Sequence, residues 1–311
     1  RQIADPGNKT DDNDLNAIFR AATSGFGLQE LPLGELHEEL RIVARLRRDL
    51  VLKRSAVCCQ MREQGEALLP GFAALFEDLW KTPAALAIAR HFLSPAEIHA
   101  AGPAGLARHL ATVHVECRRN TLEKVLAWSG MATNPAPLPT VHQRVWLALD
   151  DDRLQKTRQI ETLEQQLCAL LVRTPYLLLL SFPGINVVSA SEFAGEMGPI
   201  SHYANAKAIT GRCGLYPARY QSDQVDLANG QLVRCANRSL RAIILLIADN
   251  LLKCNAYFRA RGQIWRAQHK DPRDVHVRVA TRFCRIAFQI VAGRQVFQHP
   301  GCRSRDYVLE K

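Results

Sequence analysis

The sequence predicts a mainly α-helical protein, and three observations predict it. Apolar residues recur at helical spacing over two long stretches. Proline residues break the segment between those stretches into shorter helical pieces. The last third of the chain is basic and also carries apolar residues at helical spacing. A chain of 311 residues is long enough for two or three domains with a sizeable core.

The first element in chain order is a helix that begins near Thr10. Asp11 and Asp14 are three residues apart, so both carboxylates fall near one face of the first helical turn. Two carboxylates so placed either hold a divalent metal through hard oxygen ligands or form an ordinary negatively charged helix start. The residues alone leave both interpretations open.

Two long amphipathic helices are predicted next, one over Leu36–Met61 and one over Val141–Val172. The second keeps a 3-4 spacing of apolar residues that suits a coiled-coil seam. We expect the two helices to pack antiparallel as a coiled-coil-like stalk, with residues 70–140 inserted between them. Such stripes serve either as plain core or as an interface between subunits, and we expect a homo-oligomer, a dimer or a tetramer.

A turn between helices opens the C-terminal third of the chain. The apolar run Leu177–Leu180 must be buried, and Phe182–Ile185 breaks it before a helix expected near Val187. Such a turn either connects two core helices or presents backbone N–H groups and the positive end of a helix dipole to a phosphate. The candidate phosphate-binding residues of the turn are Pro183, Gly184, Ile185 and Asn186.

The excess positive charge lies in the last third of the chain. Residues 201–311 contain 19 Lys and Arg against 7 Asp and Glu, and the whole chain carries a formal net charge of +10. Arginine dominates this excess and can bind one phosphate through two donors. Coincidence with the turn favours nucleic acid as a partner over a merely basic surface. Tyr257, Phe258 and Trp265 interleave with these arginines and either stack on bases or belong to the core.

The sequence predicts neither a membrane span nor a signal peptide. No run of about 18 apolar residues occurs, and the first residues are polar. The nine cysteines are scattered without metal-ligand spacing. This pattern predicts free thiols in a reducing cytoplasm.

Several short motifs occur in a characteristic order and together indicate a family. They are Lys9-Thr10-Asp11-x-x-Asp14, Pro183-Gly184-Ile185, Gly214-Leu215-x-Pro217 followed by Ser222, and Leu240-Arg241. In this order they resemble the insertion-sequence transposases usually called the IS one-ten family, which includes the pilin-gene invertases. The resemblance runs from Lys9 to about Pro300. The chain departs from the family pattern at Asp223, where the family usually has Gly, and at Leu15, where it usually has Ala. The turn itself resembles the helix-hairpin-helix of many DNA-binding proteins, in which Gly often stands at the place of Asn186.

The resemblance implies a DNA transposase or site-specific recombinase that acts on mobile-element DNA. In the family the segment around Ser222 carries a serine that attacks DNA. A serine hydroxyl needs a base to take its proton and cations to stabilise the charge that develops, and Arg219 supplies such a cation. Tyr220 is the rival nucleophile. The expected DNA-binding residues are Pro183, Gly184, Ile185, Asn186, Arg219, Tyr220, Arg238 and Arg241.

The resemblance also implies a metal site and a guide RNA. Asp11 and Asp14 match the last two carboxylates of an Asp-Glu-Asp-Asp (DEDD) set, which binds Mg²⁺ on a fold similar to the Holliday-junction resolvase (RuvC-like). The first two carboxylates lie upstream in the family, so we expect an incomplete catalytic domain here. Newer members are directed to DNA by a bridge RNA.

Three domains are therefore expected. Residues 1–33 are a remnant of a RuvC-like α/β domain, 34–172 form the helical stalk with its insert, and 173–311 form a basic C-terminal transposase domain with a helix-hairpin-helix-like motif. Two other functions remain open: a non-catalytic helix-hairpin-helix DNA-binding protein, and a structural oligomerisation protein built on the coiled coil.

Overall fold

The computed structural model of the protein is mainly helical. It describes residues 11–24, 32–217, 220–222, 225–227, 232–233, 236–296 and 299–310. The α-helices are α1 (Asp11–Thr23), α2 (Glu35–Leu68), α3 (Pro83–His91), α4 (Pro95–Thr112), α5 (Arg119–Ser129), α6 (Pro139–Leu171), α7 (Val187–Met197), α8 (Ala206–Arg212), α9 (Arg238–Cys254), α10 (Ala256–Ala267), α11 (Pro272–Gly293) and α12 (Arg305–Glu310). Short 3-10 helices cover Phe72–Leu75, Leu79–Lys81, Pro175–Ser181 and Ile200–His202, and two strands, β1 (Tyr220–Ser222) and β2 (Val225–Leu227), complete the elements.

Helices α2 and α6 form an antiparallel pair, which we call the stalk. Arg47 Nε donates to Glu164 Oε1 at 2.8 Å, and His142 Nδ1 lies 2.8 Å from Gln64 Oε1. Residues near the end of α2 therefore contact residues near the start of α6, so the two helices run antiparallel. Both helices were expected from their apolar stripes, whereas a coiled-coil geometry stays a prediction.

The inserted segment 69–138, which we call the head, packs on one end of the stalk around its own core. Trp146 of the stalk is buried in this core together with apolar residues of α3, α4 and α5. Asp150 on α6 accepts from Arg90 of α3 at 2.7 Å and from Arg153 at 2.8 Å. This buried carboxylate ties the head to the stalk.

Helix α7 is the central helix of the second core. Every residue from Ser189 to Met197 is buried, because α2, α6, α9 and the 3-10 helix Pro175–Ser181 surround it. At Gly195 an added Cβ would lie 2.7 Å from the backbone N of Arg41, so only glycine allows α7 and α2 to approach this closely. The stalk and the C-terminal region therefore share one core.

Helices α9 and α11 fill the remainder of this core with their apolar faces. Leu240, Ile244 and Ile247 of α9 are buried, and Phe283 of α11 packs edge-on against Phe193 of α7 with ring centroids 5.5 Å apart. The sequence analysis expected only a basic, helical region with apolar stripes here. All eight cysteines in the described part of the chain are free thiols.

The turn before α7 differs from the expected pair of helices around it. A 3-10 helix, Pro175–Ser181, forms the first arm in place of an α-helix. Gly184 has the left-handed φ of 103°, whereas Asn186 is extended and caps α7. The reason is packing, because an added Cβ at Gly184 would lie 2.9 Å from the Asn250 carbonyl oxygen of α9.

The N-terminal segment contributes α1, which begins at Asp11 as the sequence predicts. Leu15, Ile18 and Phe19 of this helix are exposed. The α/β fold expected for residues 1–33 stays a prediction, since residues 1–10 and 25–31 lie outside the described residues. Within the described part of the chain, no helix is long and apolar enough to cross a membrane.

We predict that Gly195→Ala destabilises the fold by about 1–3 kcal/mol, because the added methyl group forces α7 away from the backbone of α2. Urea unfolding measures this loss. Gly211→Ala is the matched control, since nothing lies within 4 Å of an added Cβ there, and it is expected to leave stability unchanged or slightly raised. Equal stability of the two variants would contradict the close approach of α7 and α2.

Candidate functional site

Ser222 lies on a two-stranded antiparallel ribbon, an element that the sequence analysis did not predict. The register pairs Tyr220 with Leu227 and Ser222 with Val225, so Ser222 is the last residue of β1 before the turn. An isolated bridge between Pro217 and Leu232 continues the pairing toward the helical core. The strands are only three residues each, which is too short for their alternation to stand out in the sequence.

Arg241 of α9 holds the base of this ribbon. Its Nε donates to the Cys213 carbonyl at 2.7 Å, and its Nη2 donates to the Val233 carbonyl. A side chain at Gly214 would collide with this guanidinium, and Gly214 has a φ of 63°. Arg241, expected to bind DNA, thus has two of its donors engaged by the chain that enters and leaves the ribbon.

Arg238, the other arginine expected to bind DNA on α9, is exposed on the first turn of the helix. Tyr220 is placed by its backbone in β1, next to Gln221 and Ser222. Arg219 lies outside the described residues. Tyr220 therefore lies in the ribbon itself, and Arg238 opens the helix that follows it.

A buried carboxylate connects this region to the stalk. Glu196 on α7, whose side chain is 4% exposed, accepts from Arg45 Nε at 2.8 Å and from Asn237 Nδ2 at 3.1 Å. Asn237 in turn caps α9 by accepting from the backbone N of Leu240 at 2.9 Å. Burial by itself would raise the pKa of Glu196, but the hydrogen bonds from Arg45 and Asn237 outweigh it and lower the pKa.

A second carboxylate of α7 repeats this arrangement one turn earlier. Glu192, whose side chain is 6% exposed, accepts from Arg48 Nη2 at 2.8 Å. The four-residue spacing places both glutamates on the face of α7 that meets α2. The sequence analysis missed these pairs, although two acidic residues on an otherwise apolar helix are the signal that could have found them.

The N-terminus of α7 faces acidic side chains. Asn186 Oδ1 accepts from the backbone N of Ser189 at 2.9 Å, which closes a capping box. Asn186 and the first residues of α7 line a groove with Glu161 and Glu164 of the stalk. Glu164 is paired with Arg47. The carboxylate of Glu161 stabilises the positive end of the helix and opposes the approach of a phosphate there.

The two expected metal-binding carboxylates open α1. The helix begins at Asp11 and carries Asp14 one turn later, which is the backbone arrangement that the sequence predicts. Among the side chains that the structure describes, no group of three or more His, Cys, Asp or Glu is placed to hold a metal ion.

Comparison with known protein families points to the region that carries the ribbon. Residues 176–263 match the model of the family described as "Transposase IS116/IS110/IS902 family". The matched part extends from the 3-10 helix before the turn, through α7, α8, the ribbon and α9, into α10. A search of curated proteins found no match to the chain. The family match supports a transposase function in general and, with it, DNA as a partner.

We predict that Arg241→Gln loosens the ribbon, because the chain at the base of the ribbon loses its charge-assisted hydrogen bonds. The expected loss in the free energy of unfolding is about 1.5–3 kcal/mol. Hydrogen exchange of the Val233 amide, which donates to the Tyr216 carbonyl at 3.2 Å, should become faster, and the urea midpoint should fall. Arg238→Gln removes the same charge from an exposed position and should change neither. Matching exchange rates in the two variants would contradict the role given to Arg241.

We also predict that acid weakens the link through Glu196. Because folding lowers its pKa, Glu196 stabilises the fold above its usual pKa of 4.5, and this contribution is lost as the pH falls through the folded-state value. Glu196→Gln should lower the urea midpoint at neutral pH and flatten its decline between about pH 5 and pH 3. The control Glu63→Gln, at an exposed position on α2, should keep the full decline.

Proposed function

We propose that this protein is a DNA transposase or site-specific recombinase that acts on mobile-element DNA through Ser222. The observation that carries the proposal is the family match over residues 176–263, which includes the whole ribbon. A two-stranded β-ribbon is also one of the elements that fit the major groove of B-DNA. Ser222 at the end of β1 and the exposed Arg238 beyond the ribbon suit a site that meets DNA.

The proposed step is a phosphoryl transfer to a serine hydroxyl. Ser222 Oγ forms a bond to phosphorus while one bridging P–O bond of the DNA breaks, so the phosphodiester is replaced by a phosphoserine ester. The serine proton passes to a base, and the departing DNA oxygen takes up a proton. Arg219 and Arg238 are proposed to stabilise the charge that develops on the phosphoryl oxygens. The covalent link conserves the energy of the broken bond for strand joining.

The metal part of the proposal involves Asp11 and Asp14. Transposases of the matched family generally use a divalent metal, and Mg²⁺ prefers carboxylate oxygens. Because Mg²⁺ is usually bound through one or two carboxylates together with substrate phosphates, Asp11 and Asp14 are proposed to supply two of its ligands.

Two partners belong to the proposal besides DNA. A guide RNA would select the DNA, and a second copy of the chain would supply the second strand end that joining requires. The apolar side chains of Ile42 and Leu46, exposed one helical turn apart on α2, suit a contact between stalks. We propose that the protein acts in the cytoplasm.

We predict that Ser222→Ala abolishes a covalent protein–DNA product and retains DNA binding. The protein, and a version extended upstream with the remaining carboxylates, are incubated with labelled element-junction DNA and Mg²⁺ and separated on a denaturing gel. A slowly migrating band of covalent protein–DNA product should form only when Ser222 is present.

The matched control is Tyr220→Phe, which removes the rival hydroxyl two residues away. It should keep the covalent band if serine is the nucleophile. A band that survives Ser222→Ala and disappears in Tyr220→Phe would overturn the serine mechanism. Salt-sensitive DNA binding with no band from any version would favour a non-catalytic DNA-binding protein instead.

A further inference from the structure

One face of α11 carries arginines that line a groove of about 470 Å³. Arg278, Arg282 and Arg285 follow each other at intervals of three or four residues, so they point to one side of the helix. Trp265 of α10 forms another wall of the groove. The opposite face of α11, with Val279 and Phe283, is buried in the core. The groove is therefore a rigid, cationic surface with an aromatic wall.

These arginines differ from those of the stalk in their partners. Arg45, Arg47 and Arg48 each bind a glutamate, at 2.6–2.8 Å. Among the residues that the structure describes, no ion pair or hydrogen bond is formed by the side chains of Arg278, Arg282 and Arg285, and no carboxylate lines the groove. Their positive charge is left for a ligand that the fold does not supply.

Arg282 is the most constrained member of this group. Its guanidinium carbon lies 5.4 Å from the ring centroid of Tyr257, which is a cation–π contact. Arg261 makes a second such contact with the same ring at 5.9 Å. The Nε of Arg282 is shielded from solvent and has no hydrogen-bond partner within the described residues. Burial and then the charge of Arg282 lower the pKa of His299, another residue of the groove, which indicates a positive local potential.

A phosphodiester has the chemistry that this arrangement recognises. Its oxygens accept the paired donors of guanidinium groups, and the three arginines along one helix face suit successive phosphates of one strand. The half-buried indole of Trp265 beside them gives a base a surface on which to stack. Since bases inside a duplex are already stacked, this combination favours a single strand.

We propose that the α11 groove, lined by Arg278, Arg282, Arg285 and Trp265, binds a single-stranded segment of nucleic acid through its phosphates and one stacked base. The inference rests on the proposed function, because strand exchange and a guide RNA both present single strands. It assigns them to a surface distinct from the ribbon that carries Ser222. DNA and RNA share the recognised chemistry, and the experiment below separates them.

The test measures the affinity of labelled oligo-dT and oligo-rU of about 15 nucleotides as a function of salt. The groove variant Arg278→Gln/Arg282→Gln/Arg285→Gln is compared with Arg259→Gln/Arg266→Gln/Arg273→Gln, which removes the same charge from exposed positions outside the groove. We expect the groove variant to lose affinity about tenfold or more and to reduce the salt slope by about 2, at about 0.7 for each lost phosphate contact. The control should lose much less.

Two further variants separate ligand contact from net charge and from folding. Arg282→Lys keeps the charge but removes Nε and the planar guanidinium, so it should weaken binding while leaving the salt slope nearly unchanged. Oligo-dT should quench the tryptophan fluorescence of the unaltered protein when a base stacks on Trp265, and Trp265→Phe should abolish this quenching. Thermal unfolding of each variant checks that the core is retained.

The outcomes divide clearly. Loss confined to oligo-dT identifies the ligand as DNA, loss confined to oligo-rU identifies it as RNA, and loss of both identifies a backbone site for either. Equal effects of the groove variant and the control would overturn the inference. Failure of the unaltered protein to bind either oligonucleotide while it still joins element DNA would also overturn it, yet leave the proposed function standing.

Discussion

The burial of two glutamates on α7 is the constraint on which the rest of the structure depends. A carboxylate removed from water is costly unless a cation and further donors meet it. Glu192 and Glu196 satisfy this condition only where Arg48 and Arg45 of α2 lie opposite them. Gly195 then lets the two backbones approach closely between these pairs. Together these contacts fix the register of the stalk against the C-terminal core, which no purely apolar contact would do as selectively.

The same constraint reaches the ribbon through a short chain of hydrogen bonds. Glu196 accepts from Asn237, which caps α9, and the next turn of α9 carries Arg241. Arg241 then binds the carbonyls on both sides of the ribbon. A serine that attacks a phosphodiester must be held within a fraction of an ångström of its reacting position. The proposed nucleophile thus depends on a helix cap and an arginine that need not touch DNA.

Within the described residues arginine has three separate uses, although the composition of the chain treats all arginines alike. Those of the stalk neutralise buried or half-buried glutamates, and Arg241 binds backbone carbonyls. Arg278, Arg282 and Arg285 on α11 form no ion pair within the described residues and line a groove. The acidic groove at the start of α7 shows the reverse arrangement, with a helix N-terminus facing glutamates.

The sequence by itself determined the two long helices and the motifs that indicate a transposase, although α2 continues beyond the expected Met61 to Leu68. Apolar spacing is a local property, and α2, α6, α9 and α11 repeat it over many turns. Only the tertiary structure decided the ribbon, whose strands are too short to carry a pattern, and the left-handed backbone at Gly184, which packing against Asn250 requires. It alone also decided the role of each arginine, because that role depends on which distant group lies within hydrogen-bond distance.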